Sequence, residues 1–209
     1  MDFLTRIWQQ ILTMIQIILG IWQPPVLYKP VVYLYPEQET DVSVKLDVDG
    51  ELTVAYPAYG DGWEVRAQPG GRLTNKADGR EYSYLFWEGV PRDAHWDLSQ
   101  GWCVPGRETA AFLQGKLAEL GLTPPEYNEF IVYWLPQMQD NAYNVITFQW
   151  EEYARHAPLR IEPAPDAMLR VFMVFKPSAT PVEVTPPAER PPFVRRGFTV
   201  IEWGGTKAA

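Results

Sequence analysis

Cysteine is nearly missing from this 209-residue chain. One thiol, Cys103, leaves no intrachain disulfide, so packing and hydrogen bonds must hold the fold. Histidine is almost as scarce. His95 and His156 form neither an H-x-x-x-H nor an H-E-x-x-H pair, and zinc-hydrolase chemistry lacks an identifiable ligand set. Basic charge is short as well: 18 Lys and Arg face 26 Asp and Glu, for a net charge of −8. The only basic pair is Arg195-Arg196. Nucleic acid is therefore not an expected partner, because phosphate neutralisation needs clustered cations. There is no P-loop, no G-x-G-x-x-G and no G-x-S-x-G, which disfavours nucleotide enzymes and nucleophile-elbow hydrolases. No cofactor is expected.

Aromatic residues and proline are abundant instead: nine Trp, eleven Tyr, nine Phe and 20 Pro. So many prolines mark turns and edge segments and suit a β-rich body. Val31–Tyr35 is a β-branched and aromatic run ended by Pro36. Asp41–Val48 alternates, with Val42, Val44, Leu46 and Val48 on one side. Asp49-Gly50 reads as a hairpin turn with Glu51–Tyr56 returning. Turns at Asp61-Gly62, Pro69-Gly70-Gly71 and Asp78-Gly79 continue an antiparallel meander through Trp63–Ala67 to Glu81–Trp87. The period then changes. Arg107 to Gly121 repeats at three and four, with Gly121 as a C-cap. A second helix begins near Thr123, has Pro124-Pro125 in its first turn, and meets Pro136. Asn144–Trp150, Leu159–Glu162, Met168–Phe175 and Phe198–Trp203 read as strands, and Pro177–Pro192 as a long proline-rich crossing or exposed loop. The expectation is an α+β body over residues 26–209: a predominantly antiparallel sheet or sandwich with an inserted αα-hairpin.

The first 25 residues are different. Phe3–Trp22 is the most apolar stretch, and on a helix its polar residues form one stripe through Gln9, Thr13 and Gln16. At about 1.5 Å per residue, twenty residues would match a hydrocarbon core of about 30 Å. Three glutamines are costly against lipid but not against one another. Residues 3–22 are therefore expected to act as a hydrophobic amphipathic helix that makes a homo-oligomer or meets a membrane, with Ile7, Gln9, Ile11, Thr13, Gln16 and Ile18 as assembly residues. As a signal peptide the segment reads poorly, since Asp2 sits where basic charge is expected. A membrane-associated or extracytoplasmic setting is the expectation.

Four separated stretches carry a resemblance: Lys29-Pro30-Val31-Val32-Tyr33-Leu34-Tyr35-Pro36, Tyr84-Leu85-Phe86-Trp87-Glu88-Gly89, Asn128-Glu129-Phe130-Ile131-Val132-Tyr133-Trp134-Leu135-Pro136, and Glu202-Trp203-Gly204-Gly205. In these the chain resembles a family of uncharacterised bacterial proteins, from roughly Lys29 to Thr206. The resemblance implies a self-contained body with a variable N-terminal attachment, and brings no activity with it. Members often carry a lipoprotein-like N-terminus, which is absent here for want of a lipobox cysteine.

Three glutamates stand in apolar, aromatic settings: Glu88, Glu129 and Glu202. Desolvation raises a carboxyl pKa, and paired carboxylates beside aromatic rings are the ingredients of glycoside hydrolysis. The commoner role of such residues is to accept hydrogen bonds at a corner of the fold. Asp93, His95 and Asp97 alternate, so an extended segment would place them on one side, where a divalent ion is conceivable; a solvated turn is the plainer reading. Trp96 and Trp102 are the tryptophans expected to be available for binding, whereas Trp63, Trp87, Trp134, Trp150 and Trp203 lie in periodic segments that packing explains. Cys103 reads as a packing thiol. The leading expectation is a non-enzymatic binding or structural module, tethered or assembled through its N-terminal helix. The alternative is a carboxylate-dependent hydrolase acting on glycans.

Overall fold

In a computed structural model that describes residues 26–208 together with Trp8, the layering follows from one strand, β11 (Ala167–Ser178). Its Leu169, Val171, Met173 and Phe175 enter one core while Phe172 and Val174 enter another. Successive side chains of a strand point to opposite faces, so a near-continuous apolar run suits a strand covered on both. The same holds for β12 (Thr199–Lys207), which runs parallel to β11 with Leu169 opposite Ile201 and Val171 opposite Trp203. Around this pair a seven-stranded sheet forms in the order β3 (Gly50–Tyr56), β7 (Leu85–Pro91), β1 (Tyr28–Tyr35), β12, β11, β9 (Tyr143–Phe148) and β8 (Trp102–Pro105). A five-stranded sheet has the order β10 (Leu159–Glu162), β2 (Thr40–Leu46), β4 (Trp63–Ala67), β5 (Leu73–Asn75) and β6 (Glu81–Tyr82). All strand pairings except β11 with β12 are antiparallel.

The smaller sheet packs on one face of the larger through Val42, Val44, Trp63 and Val65 against Val32, Leu34, Trp87 and Phe172. Helices α1 (Thr109–Leu120) and α2 (Pro124–Trp134) cover the other face with Leu113, Leu117, Phe130 and Trp134. The inserted αα-hairpin and the mostly antiparallel sandwich are thus as the sequence indicates. Gly121 ends α1 in the left-handed region at φ 108°, where a side chain would be strained. Glu126 in the first turn of α2 reaches back to the Thr123 N–H at 2.7 Å and also accepts from Arg195 at 2.5 Å.

Three sequence readings need correction. Asp49-Gly50 does not close a hairpin: β2 pairs with β4 and β10, whereas β3 pairs with β7 in the other sheet. The turn signal is real, but it marks a corner between layers. The Asp49 N–H donates to the His156 carbonyl at 2.8 Å, and the Arg92 N–H donates to the Asp49 carbonyl at 2.8 Å. The continuous meander is accordingly only β4–β5–β6. Finally, the strand expected to reach Trp150 stops at Phe148, and a short helix α3 (Glu151–His156) follows. Its acidic start and basic end match the helix dipole, a signal present in Glu151-Glu152 and Arg155-His156.

The proposed assembly residues Ile7, Gln9, Ile11, Thr13, Gln16 and Ile18 lie outside the described residues. Among the described residues, no helix is long and apolar enough to cross a membrane.

Candidate functional site

Residues of β1, β7, β12 and α2 meet around Lys29. Lys29 is the second residue of β1, at a bulge between Tyr28 and Val31, and is the one non-glycine residue with positive φ (57°) among the described residues. Holding an L-residue there costs about 1–2 kcal/mol, so its surroundings must impose it. They do so from two sides. The Lys29 N–H donates to Glu88 Oε1 of β7 at 3.2 Å. Pro30 lies against Gly204 of β12, where a Cβ would come within 3.0 Å of it. The next glycine, Gly205, makes room for the Trp134 ring of α2. Strand, strand, strand and helix are thereby locked around one lysine.

The Lys29 side chain rests over the rings of Tyr84 and Phe86, with Nζ 5.1 Å from each centroid and 3.4 Å from the Tyr84 hydroxyl. From β1, the buried Tyr33 hydroxyl donates to Glu129 Oε2 of α2 at 3.3 Å. Tyr84 meets Tyr33 edge-on at 5.3 Å. Half-burial moves the ionisable groups in a common sense, against charge. It pulls the Lys29 ammonium below the usual lysine range, by more than Glu129 and Glu88 push it back. It raises the Glu88 carboxyl, with the Lys29 N–H and ammonium opposing. The Tyr133 phenol is pushed up to about 12, first by burial and then by Glu88. Such shifts concentrated in one place are a functional-site signature, although structural clusters show them too.

Glu202 does not belong to this group. Because β12 alternates, Trp203 faces the helices and Glu202 faces the smaller sheet, fully buried. There it takes Arg170 Nε at 2.5 Å and Trp87 Nε1 at 3.2 Å. Arg170 also donates to the Ala157 carbonyl at 2.7 Å and lies 4.6 Å over the Tyr153 ring. Of the three expected carboxylates, two converge on Lys29 and the third is a structural ion pair on the opposite face.

Asp93, His95 and Asp97 are not brought together: no three His, Cys, Asp or Glu side chains among the described residues are placed to hold a metal ion. Asp97 instead closes a turn, accepting the Ser99 N–H at 2.8 Å, and that bond holds its carboxyl below the usual range. Trp96 is packed on Phe172 at 5.2 Å and faces His156 in the sandwich. Trp102 has a different position. With Phe148, Trp150 and Phe193 it lines a groove of about 960 Å³ between α1, the ends of β9 and β11, and the proline-rich crossing. Lys116 lies 4.7 Å over the Trp102 ring and Arg190 of the crossing 4.6 Å over Trp150. Glu119, Asp166 and Arg196 add polar groups to its lining. The crossing is tied down where Thr185 exchanges hydrogen bonds with Ser99 and Gly101, and where the Val182 N–H reaches Cys103 Sγ at 3.3 Å. Lys29 and Trp150 are the residues that sequence reasoning passed over. A charge entering an apolar strand through Lys-Pro was the available sign for the first. The second was explained as core because its strand was taken two residues too far.

No family model matches this chain, and no solved structure matches it. Over 64 residues it is 44% identical to "Uncharacterized protein in bglA 3'region" of Butyrivibrio fibrisolvens, a match covering 29% of this chain and 65% of that protein. The chain thus spans somewhat less than two thirds of its relative's length.

Proposed function

We propose that the protein is a non-enzymatic binding module whose ligand lies in the groove beneath the proline-rich crossing, with the N-terminal segment serving attachment or assembly. The observation that carries this is the groove itself: a space of about 960 Å³ walled by Trp102, Phe148, Trp150 and Phe193 and edged by Glu119, Asp166 and Arg196. An oligosaccharide fits that mixture. Aromatic faces take the apolar C–H face of a sugar ring, while carboxylate and guanidinium groups take its hydroxyls. A purely apolar ligand would displace water from those exposed groups without replacing its hydrogen bonds, at a cost. Titrating soluble oligosaccharides while following tryptophan fluorescence is expected to show saturable binding. Trp102→Ala and Trp150→Ala should each weaken it about tenfold, equivalent to about 1.4 kcal/mol. A peptide ligand in place of a glycan, or glycan binding indifferent to both substitutions, would refute this assignment. In light scattering, the full-length chain is expected to be larger than one lacking residues 1–25.

A second reading, a carboxylate-dependent glycoside hydrolase, draws support from one feature: Glu88 and Glu129 both approach Lys29 and its tyrosines. In that reading Glu88, whose carboxyl burial raises above the usual range, is the general acid. An acid of raised pKa is fully protonated at low pH and loses its proton as pH rises through the folded value, so activity would fall on the alkaline side. Glu88→Gln should abolish turnover of an aryl glycoside. Retention of turnover in that variant would eliminate Glu88 as the acid.

A further inference from the structure

We propose that Lys29 is a nucleophilic amine that captures a small aldehyde or ketone as a protonated imine, Glu88 giving the proton that releases water. The proposal shares Glu88 with the hydrolase reading but does not depend on it, nor on the glycan groove. Three observations carry it. First, the amine makes no ion pair among the described residues; its polar contact is the Tyr84 hydroxyl at 3.4 Å, and its walls are the Tyr84 and Phe86 rings. Both rings favour the ammonium through cation–π contact, but no carboxylate among the described residues is paired with it to hold the charge as an ion pair would, and a partly desolvated lysine is the kind that proteins activate. Burial lowers its pKa. Second, the backbone is fixed in the left-handed region by Pro30 against Gly204 and by the Glu88 bond, so the root of the side chain is pinned at the rim of the sheet. Third, a partly desolvated carboxyl, Glu88, is bonded to the same residue and remains protonated at higher pH than an exposed glutamate.

The chemistry balances without a further reactant. The Nζ lone pair attacks the carbonyl carbon, and the C=O π pair moves to oxygen. That oxygen takes up the proton shed by nitrogen, with the Tyr84 hydroxyl beside Nζ as relay. The carbinolamine C–O bond then breaks. Oxygen leaves as water with the Glu88 proton, and nitrogen's lone pair forms the C=N⁺ bond. Amine, carbonyl and one proton give a protonated imine and water. Tyr28, Tyr133 and Glu129 at the rim favour a carbonyl compound that also bears hydroxyl groups.

The test treats the full-length chain with glyceraldehyde and cyanoborohydride at neutral pH and maps reduced adducts by peptide mass. Lys29 is expected to label about tenfold faster than the exposed Lys45, Lys176 and Lys207, and the preference should vanish in denaturant. Glu88→Gln and Tyr84→Phe, checked for native near-ultraviolet dichroism, should each slow Lys29 labelling several-fold without affecting the other lysines. Labelling of Lys29 no faster than the exposed lysines in the folded chain overturns the proposal. Unchanged labelling in Glu88→Gln overturns the assigned proton donor. Aryl glycoside turnover, which involves no carbonyl, reports on the hydrolase reading separately.

Discussion

Arg170→Met is expected to lower the free energy of unfolding by about 3–5 kcal/mol, the cost of breaking a buried ion pair from one side. Glu202 is fully buried between the sheets, and Arg170 supplies its closest bond, at 2.5 Å. Without the guanidinium, the Trp87 indole N–H at 3.2 Å and the neighbouring Tyr153 hydroxyl are what remain, among the described residues, to face the carboxylate. The Ala157 carbonyl and the Tyr153 ring would lose their partner at the same time. The double variant Arg170→Met/Glu202→Gln should recover most of the loss. A neutral amide oxygen can still accept from Trp87, and no charge is then left in the core. Urea denaturation followed by tryptophan fluorescence checks both, and the denaturant slope should stay unchanged if the native fold is kept. A single-variant loss below about 1 kcal/mol would mean that the carboxylate finds water or another donor. In that case the pair would be dispensable to the sandwich.

This pair also shows what the sequence could and could not disclose. That Glu202 lies in an apolar strand, and is therefore desolvated, follows from Val200, Ile201 and Trp203 around it. Which face it takes depends on register and on what covers that face, and neither is local information. Alternation along β2 and β4 was legible because period two is written into the residues. The αα-hairpin was legible because Gly121 and Pro124-Pro125 punctuate it. The exchange of β3 between sheets was not. A turn dipeptide specifies a reversal, and only distant pairing, here with β7, decides the sheet to which the returning strand belongs. The same limit hid the site. Glu88 and Glu129 were visible as carboxylates in aromatic settings. Their meeting at Lys29 requires a contact spanning 59 residues for Glu88 and another spanning 96 residues between Tyr33 and Glu129.

The second large effect falls on the helix that carries half of that site. Trp134 is fully buried, with Phe130, Tyr133 and Phe175 at ring-centroid distances of 6.2, 4.9 and 5.9 Å. Trp134→Ala should cost about 3–5 kcal/mol, because the void is lined by residues of three elements that cannot all move inward. Trp134→Phe should cost much less than its lost volume implies. The indole N–H has no hydrogen-bond partner among the described residues, so removing it also removes the penalty of burying an unsatisfied donor, about 1–3 kcal/mol. Gly205→Ala provides the control from the sheet side. Its Cβ would stand 2.8 Å from the Trp134 ring and 2.5 Å from the Met173 carbonyl oxygen. A smaller ring relieves the first contact but not the second, so Trp134→Phe should fail to rescue Gly205→Ala. Denaturation of the four proteins decides this, and full rescue would show that β12 can shift away from β11. Because Glu129 and Tyr133 ride on the same helix, Trp134→Ala should loosen the Tyr33–Glu129 bond as well. It should also expose Lys29 to water and bring its ammonium back toward the ordinary lysine range. Loss of stability with Lys29 unaltered would separate the packing of α2 from the chemistry at its edge.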